Sequence, residues 1–251
     1  MKTAVIAFPG SNSEEETLRA VIDAGGEGRI VWWFEGPQAL RGFDAFIMPG
    51  GFAYEDRIRA GAVAAREPIV SAVVDAAVHG APVLGICNGA QVLVETGIVP
   101  GTGPDPVGRP QAALAPNACG HFVDTFVEVA LVAPPERCIF TRHLAPGERI
   151  PTWLSHGEGR YCFRDDQTRQ AVRDEGLVVF RYADGKNPNG AEFDCAGLTN
   201  SAGNALAIMP HPERCGWRYQ QPERIRFAAR GDRQAFLAPY GGNTLFHVFA
   251  R

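Results

Sequence analysis

Gly85-Ile86-Cys87-Asn88-Gly89-Ala90-Gln91 sets a thiol midway between two glycines, where an apolar run at 82–86 gives way to a helical pattern. This G-x-Cys-x-G spacing is that of a nucleophile elbow, with cysteine where hydrolases often carry serine. A sharp strand-to-helix turn strains the backbone of its central residue, and side chains two positions to either side would collide. Gly85 and Gly89 have no side chains to collide. The turn is expected to lift Cys87 over the carboxyl edge of a sheet, where open α/β proteins bind ligands. A thiolate there faces the positive end of a helix, which favours the charged form. The next N–H, that of Asn88, points where the oxyanion of a tetrahedral intermediate would form. Gln91 lies one helical turn further on the same face, and its amide could hold the polar end of a small substrate. The bland alternative is a buried structural cysteine, and the two glycines at a strand–helix junction count against it.

A thiol nucleophile needs a base, and the base needs an orienting group. Two His-x-Glu segments are candidates: His156-Gly157-Glu158 and His211-Pro212-Glu213. The first reads as a glycine-bounded loop that would hold an imidazole loosely. The second follows an apolar run at 205–209, and Pro210 and Pro212 restrict the backbone on both sides of His211. Such a mount suits a general base, with Glu213 fixing the ring tautomer. Pro49-Gly50-Gly51-Phe52 also follows an apolar run, which makes the N–H of Gly51 a candidate second oxyanion donor, or simply part of a tight turn. His79, His121, His143 and His247 lack comparable context and read as surface or structural residues. Cysteines and histidines without ligand spacing give no metal site. Gly25, Gly26 and Gly28 do not follow a strand, as a dinucleotide loop must.

These side chains need a scaffold. Strands are expected over 3–8, 29–34, 43–48 and 82–86. Helices are expected from Ser13, as a capping side chain ahead of Glu14, Glu15 and Glu16, over 67–79, and from Ala90. Alternation of continuous apolar strands with helices predicts an α/β fold: a mostly parallel central sheet with helices on both faces. The proline- and glycine-broken stretch 98–120, with Pro100, Pro104, Pro106, Pro110 and Pro116, reads as a long surface excursion. Further strands over 122–132 and 177–182, and a hairpin of 198–200 with 205–209, add β-rich insertions. One domain over 1–251 is the simplest division.

The 251 residues are 45% hydrophobic and 21% charged, with a net charge of -4. That balance gives no electrostatic case for nucleic acid or an anionic membrane. No stretch approaches the ~20 apolar residues of a membrane span. The six cysteines are scattered, without a C-x-x-C pair, so a reduced, cytoplasmic setting is expected. Apart from Cys87, they default to small buried filler.

The elbow at 85–91 and Met209-Pro210-His211-Pro212-Glu213-Arg214 together resemble class I, triad-type glutamine amidotransferases. The finer resemblance is to the glutaminase subunits of phosphoribosylformylglycinamidine synthase, a purine-biosynthesis enzyme. It rests on F-P-G-S-N at 8–12, P-G-G-F-A-Y at 49–54, R-A-G-A at 59–62, H-G-E-G-R-Y at 156–161, N-P-N-G at 187–190 and G-L-T-N at 197–200. The resemblance implies a flavodoxin-like sheet and a triad of Cys87, His211 and Glu213. Gly51 and Asn88 would be the oxyanion donors and Gln91 a substrate contact. Glutamine would be the substrate, and ammonia would pass to a separate synthetase subunit that uses ATP and magnesium. A small third subunit would bridge the two, and the loop around His156 would face the synthetase. This chain would itself need no cofactor.

Three positions depart from the family pattern. Glu55 stands where glycine is common, Ser13 where many members have cysteine, and His121 where arginine is usual. Two other readings share the scaffold: a stand-alone cysteine hydrolase of γ-glutamyl or peptide substrates, and a catalytically silent regulatory subunit.

Overall fold

Apolar runs too continuous to face water on either side form the middle of a mixed sheet. The computed structural model describes residues 1–104 and 107–250. Asp105, Pro106 and Arg251 lie outside the described residues, and with them one proline of the 98–120 stretch and the last position of the 1–251 range. β1 (Lys2–Ala7) leads through α1 (Glu14–Asp23) to β2 (Glu27–Trp32) and β3 (Ala45–Met48). Then come α2 (Pro68–Val78), β4 (Val83–Ile86) and α3 (Asn88–Thr96), followed by β5 (Ala112–Pro116), β6 (Val123–Leu131), β7 (Arg149–His156) and β8 (Glu158–Phe163). α4 (Asp166–Asp174), β9 (Val178–Tyr182), β10 (Cys195–Thr199) and β11 (Ala205–Ile208) complete the frame.

Nine strands share one sheet in the order β2-β1-β3-β4-β11-β10-β9-β6-β7, while β5 and β8 form a separate antiparallel ribbon. From β2 to β11 every neighbouring pair is parallel, and from β11 to β7 every pair is antiparallel. The parallel half has the flavodoxin-like order, with β11 as its fifth strand. Consecutive residues of β3, β4 and β11 are all buried, so both faces of this half are covered. α1 packs on β1 and β2, and α3 on β3, β4 and β11. The expected α/β class holds. Its insertions prove to be half of the sheet plus the β5–β8 ribbon. No helix among the described residues is long and apolar enough to cross a membrane.

Several local expectations are corrected. The second strand ends at Trp32, because the Glu35 carboxylate accepts the Trp32 N–H at 2.8 Å and turns the chain. Ser13 does not cap α1 with its side chain. Its hydroxyl instead donates to Asn12 Oδ1 and accepts from Arg214 Nη2 at 2.7 Å. The 98–120 stretch is no plain surface excursion: Ile98, Val99, Thr102, Gln111 and Asn117 are buried, and it contains β5. The Gln111 amide closes it by donating to the Thr102 carbonyl and accepting from the Thr102 N–H. His156 is not in a loose loop but ends β7, with 3% exposure. All six cysteines are unpaired, and Cys119 is exposed, so the filler reading does not extend to it.

Candidate active site

The carboxyl ends of β1, β3, β4 and β11 lie side by side and carry the residues singled out above. Cys87 follows β4 directly, at φ 51° and ψ −106°, a left-handed conformation in which a side chain is strained. The flanking glycines make the turn possible. A Cβ on Gly85 would lie 2.5 Å from the Gly89 carbonyl oxygen, and one on Gly89 would lie 1.9 Å from the Met48 carbonyl oxygen. The Cys87 N–H donates to Ile208 O at 2.8 Å, fixing the elbow to β11.

The same strand, β11, delivers His211 to the thiol. His211 and Trp153 of β7 form an isolated antiparallel bridge, with the His211 N–H donating to Trp153 O at 2.7 Å. Its ring packs so tightly on Gly50 that a Cβ there would lie 2.4 Å from His211 Cε1. Nδ1 of His211 meets Glu213 Oε1 at 2.5 Å, and both side chains are buried. Burial disfavours the imidazolium. The Glu213 carboxylate, then the charge and hydrogen bond of Cys87, outweigh that cost and raise the His211 pKa to about 10. The imidazole therefore has the Cys87 side chain and the Glu213 carboxylate as its two side-chain partners. His156 is the opposite case: burial, then repulsion from His211, push its pKa down to about 3 and keep the ring neutral.

The N–H groups of Gly51 and Asn88 have no protein acceptor among the described residues. Gly51 sits at φ 150°, where a Cβ would lie 2.6 Å from the Gly10 carbonyl oxygen, and Asn88 opens α3. The Asn88 side chain ties the two loops together, accepting from the Ala53 N–H at 3.1 Å and donating to Gln91 Oε1 at 2.8 Å. Gln91 in turn donates from Nε2 to the Glu158 carbonyl at 2.5 Å. Both ends of its amide are thus engaged within the chain, and a substrate would meet it only by exchanging one of these bonds.

Cys87 and Gln91 are each only 5% exposed. What covers them is the β7–β8 junction, whose Ser155 carbonyl accepts from Cys87 Sγ at 3.7 Å. A cavity of about 650 Å³ lies on the other side of Glu213, against Glu16, Arg19, Asp23 and Trp217, and does not include the thiol. Among the described residues no cluster of His, Cys, Asp and Glu has the make-up of a metal site.

Sequence reasoning did not single out Ser155, Trp153 or Asp56. Asp56 accepts from Asn88 Nδ2 at 3.3 Å. Burial, then the nearby Glu158 carboxylate, raise its pKa to about 6. The H-G-E-G segment was a usable signal for Ser155 and Glu158; backbone pairing by Trp153 leaves no trace in residue type.

Known proteins share this chain's sequence pattern and fold. The chain matches the CobB/CobQ-like glutamine amidotransferase domain over residues 1–236. It is 42% identical over 219 residues to a phosphoribosylformylglycinamidine synthase subunit PurQ of Thermus thermophilus, covering 85% of this chain and 89% of that protein. A PurQ of Methanothrix thermoacetophila is 37% identical over 242 residues, covering 89% and 90%. Among solved structures, PurLQS from Thermotoga maritima superposes with a TM-score of 0.77 at 30% identity, over 99% of this chain and 96% of that one. The chain belongs to the CobB/CobQ-like glutamine amidotransferases and, within them, to the PurQ subunits of phosphoribosylformylglycinamidine synthase.

Proposed function

We propose that the chain, as one amidotransferase domain over 1–251, hydrolyses L-glutamine and hands the ammonia to a synthetase subunit in the cytoplasm. The Cys87 thiolate attacks the side-chain amide carbon, and the N–H groups of Gly51 and Asn88 hold the oxyanion. As the C–N bond breaks, the His211 imidazolium gives its proton to the departing nitrogen, leaving ammonia and a γ-glutamyl thioester. Water then attacks the thioester while His211 takes its proton, and glutamate leaves with return of the thiolate. Glu213 keeps the imidazole in the tautomer that serves both steps. Gln91 exchanges its bond to Asn88 or Glu158 for one to the substrate.

The observation that carries this reading is the left-handed Cys87 elbow facing the buried His211–Glu213 pair. The PurQ kinship favours a synthetase-coupled role over a stand-alone hydrolase. The same kinship supports a synthetase partner and a third, bridging subunit. ATP and magnesium belong to the synthetase, which would use the ammonia to convert formylglycinamide ribonucleotide to the amidine.

The test is Cys87→Ala in the assembled complex. It should abolish glutamine-dependent synthesis and leave synthesis from added ammonia intact, with a glutamyl adduct on Cys87 trapped by mass spectrometry in the native chain. Loss of the ammonia-dependent reaction in an assembled complex would contradict the proposal.

A further inference from the structure

The thiol and the Gln91 amide share a feature that the chemistry above does not use: each touches the main chain of one short segment. Ser155 O faces Cys87 Sγ and Glu158 O holds Gln91 Nε2, two carbonyls on either side of Gly157. Wherever this segment sits, Gln91 sits with it.

Two asparagines, neither in contact with the thiol, hold the segment. Asn189, with 0% exposure, donates from Nδ2 to the Gly159 carbonyl at 2.8 Å and to the Tyr182 hydroxyl at 3.0 Å. Asn117 Nδ2 donates to the His156 carbonyl at 2.9 Å, and its N–H to the Gly157 carbonyl at 2.9 Å. The two are linked, because the Ala118 N–H donates to the Asn189 carbonyl at 2.9 Å. The N-P-N-G loop is shaped to present Asn189. Asn187 Oδ1 accepts the N–H of Gly190 at 2.8 Å, and Gly190, at φ +79°, approaches Ala118 so closely that a Cβ would lie 2.6 Å from the Ala118 Cβ. The His156 ring lies against Gly159, where a Cβ would come within 2.1 Å of it, so the segment is packed from both sides.

We propose that Asn189 is a positioning residue for glutamine: through the Gly159 carbonyl it fixes Glu158, and through the Glu158 carbonyl it sets Gln91. This rests on the reading of Cys87 and Gln91 given above. An unsatisfied buried carbonyl is costly, so loss of the Asn189 amide shifts the segment. The shift reaches Gln91 through a full hydrogen bond, but reaches Cys87 only through a long sulfur contact. Glutamine affinity should therefore suffer more than thiol chemistry.

The test uses the full chain assembled with its synthetase, carrying Asn189→Ala or Asn189→Asp. The KM for glutamine should rise about tenfold, with kcat changed by less than about threefold. Labelling of Cys87 by 6-diazo-5-oxo-norleucine, which has the glutamine head group, should slow by about the same tenfold factor, while labelling by iodoacetamide keeps its rate. A double-mutant cycle with Gln91→Ala should be non-additive. An unchanged KM, equal slowing of both reagents, or strict additivity overturns the proposal. Should the Asn189 variants fail to fold, Tyr182→Phe removes one partner of the Asn189 amide, beside the Gly159 carbonyl and His156 Nε2, and should raise the KM about twofold to threefold; an unchanged KM there overturns it as well. Cys87→Ala runs alongside. Persistent glutamine hydrolysis in that variant sinks the reading of the site itself, whereas a dead Cys87→Ala beside unaltered Asn189 kinetics sinks only the positioning role.

Discussion

The two halves of the sheet divide the work. The parallel half, β2-β1-β3-β4-β11, carries the reacting atoms at its carboxyl ends: Cys87 after β4, His211 and Glu213 after β11, Gly51 after β3. The antiparallel half carries none of them. Its edge strand β7 supplies main-chain groups that hold them, Trp153 against His211 and Ser155 against Cys87, and the separate β5–β8 ribbon adds Glu158 against Gln91. Positive φ outside glycine occurs in both halves, at Tyr54, Glu55, Asp56, Ile58 and Cys87 in loops of the parallel half and at Asp184, Phe193 and Asp194 in the β9–β10 connection, but only Cys87 among them is a reacting residue. A cross-strand ladder fixes main-chain positions well but aims few side chains at one point. The ends of parallel strands converge, so chemistry gathers there. If this division is right, substitutions in the parallel half should cost rate or folding, and those in the antiparallel half should cost substrate affinity, as argued for Asn189.

The largest test of that division is Glu213→Gln. The amide would still fill the space but would bring no charge to His211. We expect a fall of about 10³–10⁴-fold in glutamine-dependent rate, with the KM changed far less. The pH dependence gives a second measure. An unfolded histidine titrates near 6.5, and His211 in the folded chain is raised to about 10. Its contribution to stability is therefore complete below about pH 6.5 and lost as pH rises towards 10. With Glu213 neutral, burial dominates and the imidazolium gives up its proton at lower pH. The alkaline limb of the pH–rate profile should move to lower pH, and thermal unfolding of the variant should lose less between pH 7 and 10 than that of the native chain. A profile with the limb unmoved would separate Glu213 from the base.

The same division explains what could be read in advance. β3, β4 and β11 are buried at every residue, so their sequences are unbroken apolar runs. The elbow was legible because two glycines, a thiol and a strand end fall within five residues. β7 and β8 were missed because Pro151, Gly157 and Gly159 look like loop residues. Pro151 is tolerated because β7 is the last strand of the sheet, where a missing N–H costs no ladder bond. α4 was missed because only Thr168 and Val172 are buried along it, leaving no apolar stripe to recognise. Its one signal was Asp165, whose carboxylate caps the helix by accepting the Thr168 N–H at 2.7 Å. That H-G-E-G and N-P-N-G join in one buried network is a tertiary fact that neither segment contains alone.

Gly89→Ala tests the scaffold rather than the chemistry. The added methyl would lie 1.9 Å from the Met48 carbonyl oxygen, which is backbone in the middle of the parallel half and cannot swing away. α3 would have to lift off β3. A loss of about 4 kcal/mol or more in unfolding free energy is expected, measured by denaturant titration. Glutamine activity should fall with the folded fraction. A stably folded Gly89→Ala chain that lost only its glutaminase would mean that the elbow is more pliable than its contacts allow.

The smallest effect is expected at Glu55, the departure from the family pattern. The residue sits at φ 58° and ψ 27°, in the left-handed region that glycine occupies without strain. Tyr54 and Asp56 on either side are also left-handed, so the turn cannot relax by passing the strain to a neighbour. Among the described residues the Glu55 carboxylate meets only Arg57, at 2.8 Å, and both side chains are largely exposed, a pairing that contributes little. Glu55→Gly should therefore stabilise the chain by about 1 kcal/mol, the relieved strain exceeding the entropy that glycine adds to the unfolded state. The midpoint of chemical unfolding should rise with an unchanged slope. Because Asp56 and Asn88 continue this loop into the site, the KM for glutamine serves as the control, and it should hold. Destabilisation of the variant would show that the exposed carboxylate, not the backbone, governs this turn, and would remove backbone strain as the feature that sets this loop of the parallel half apart.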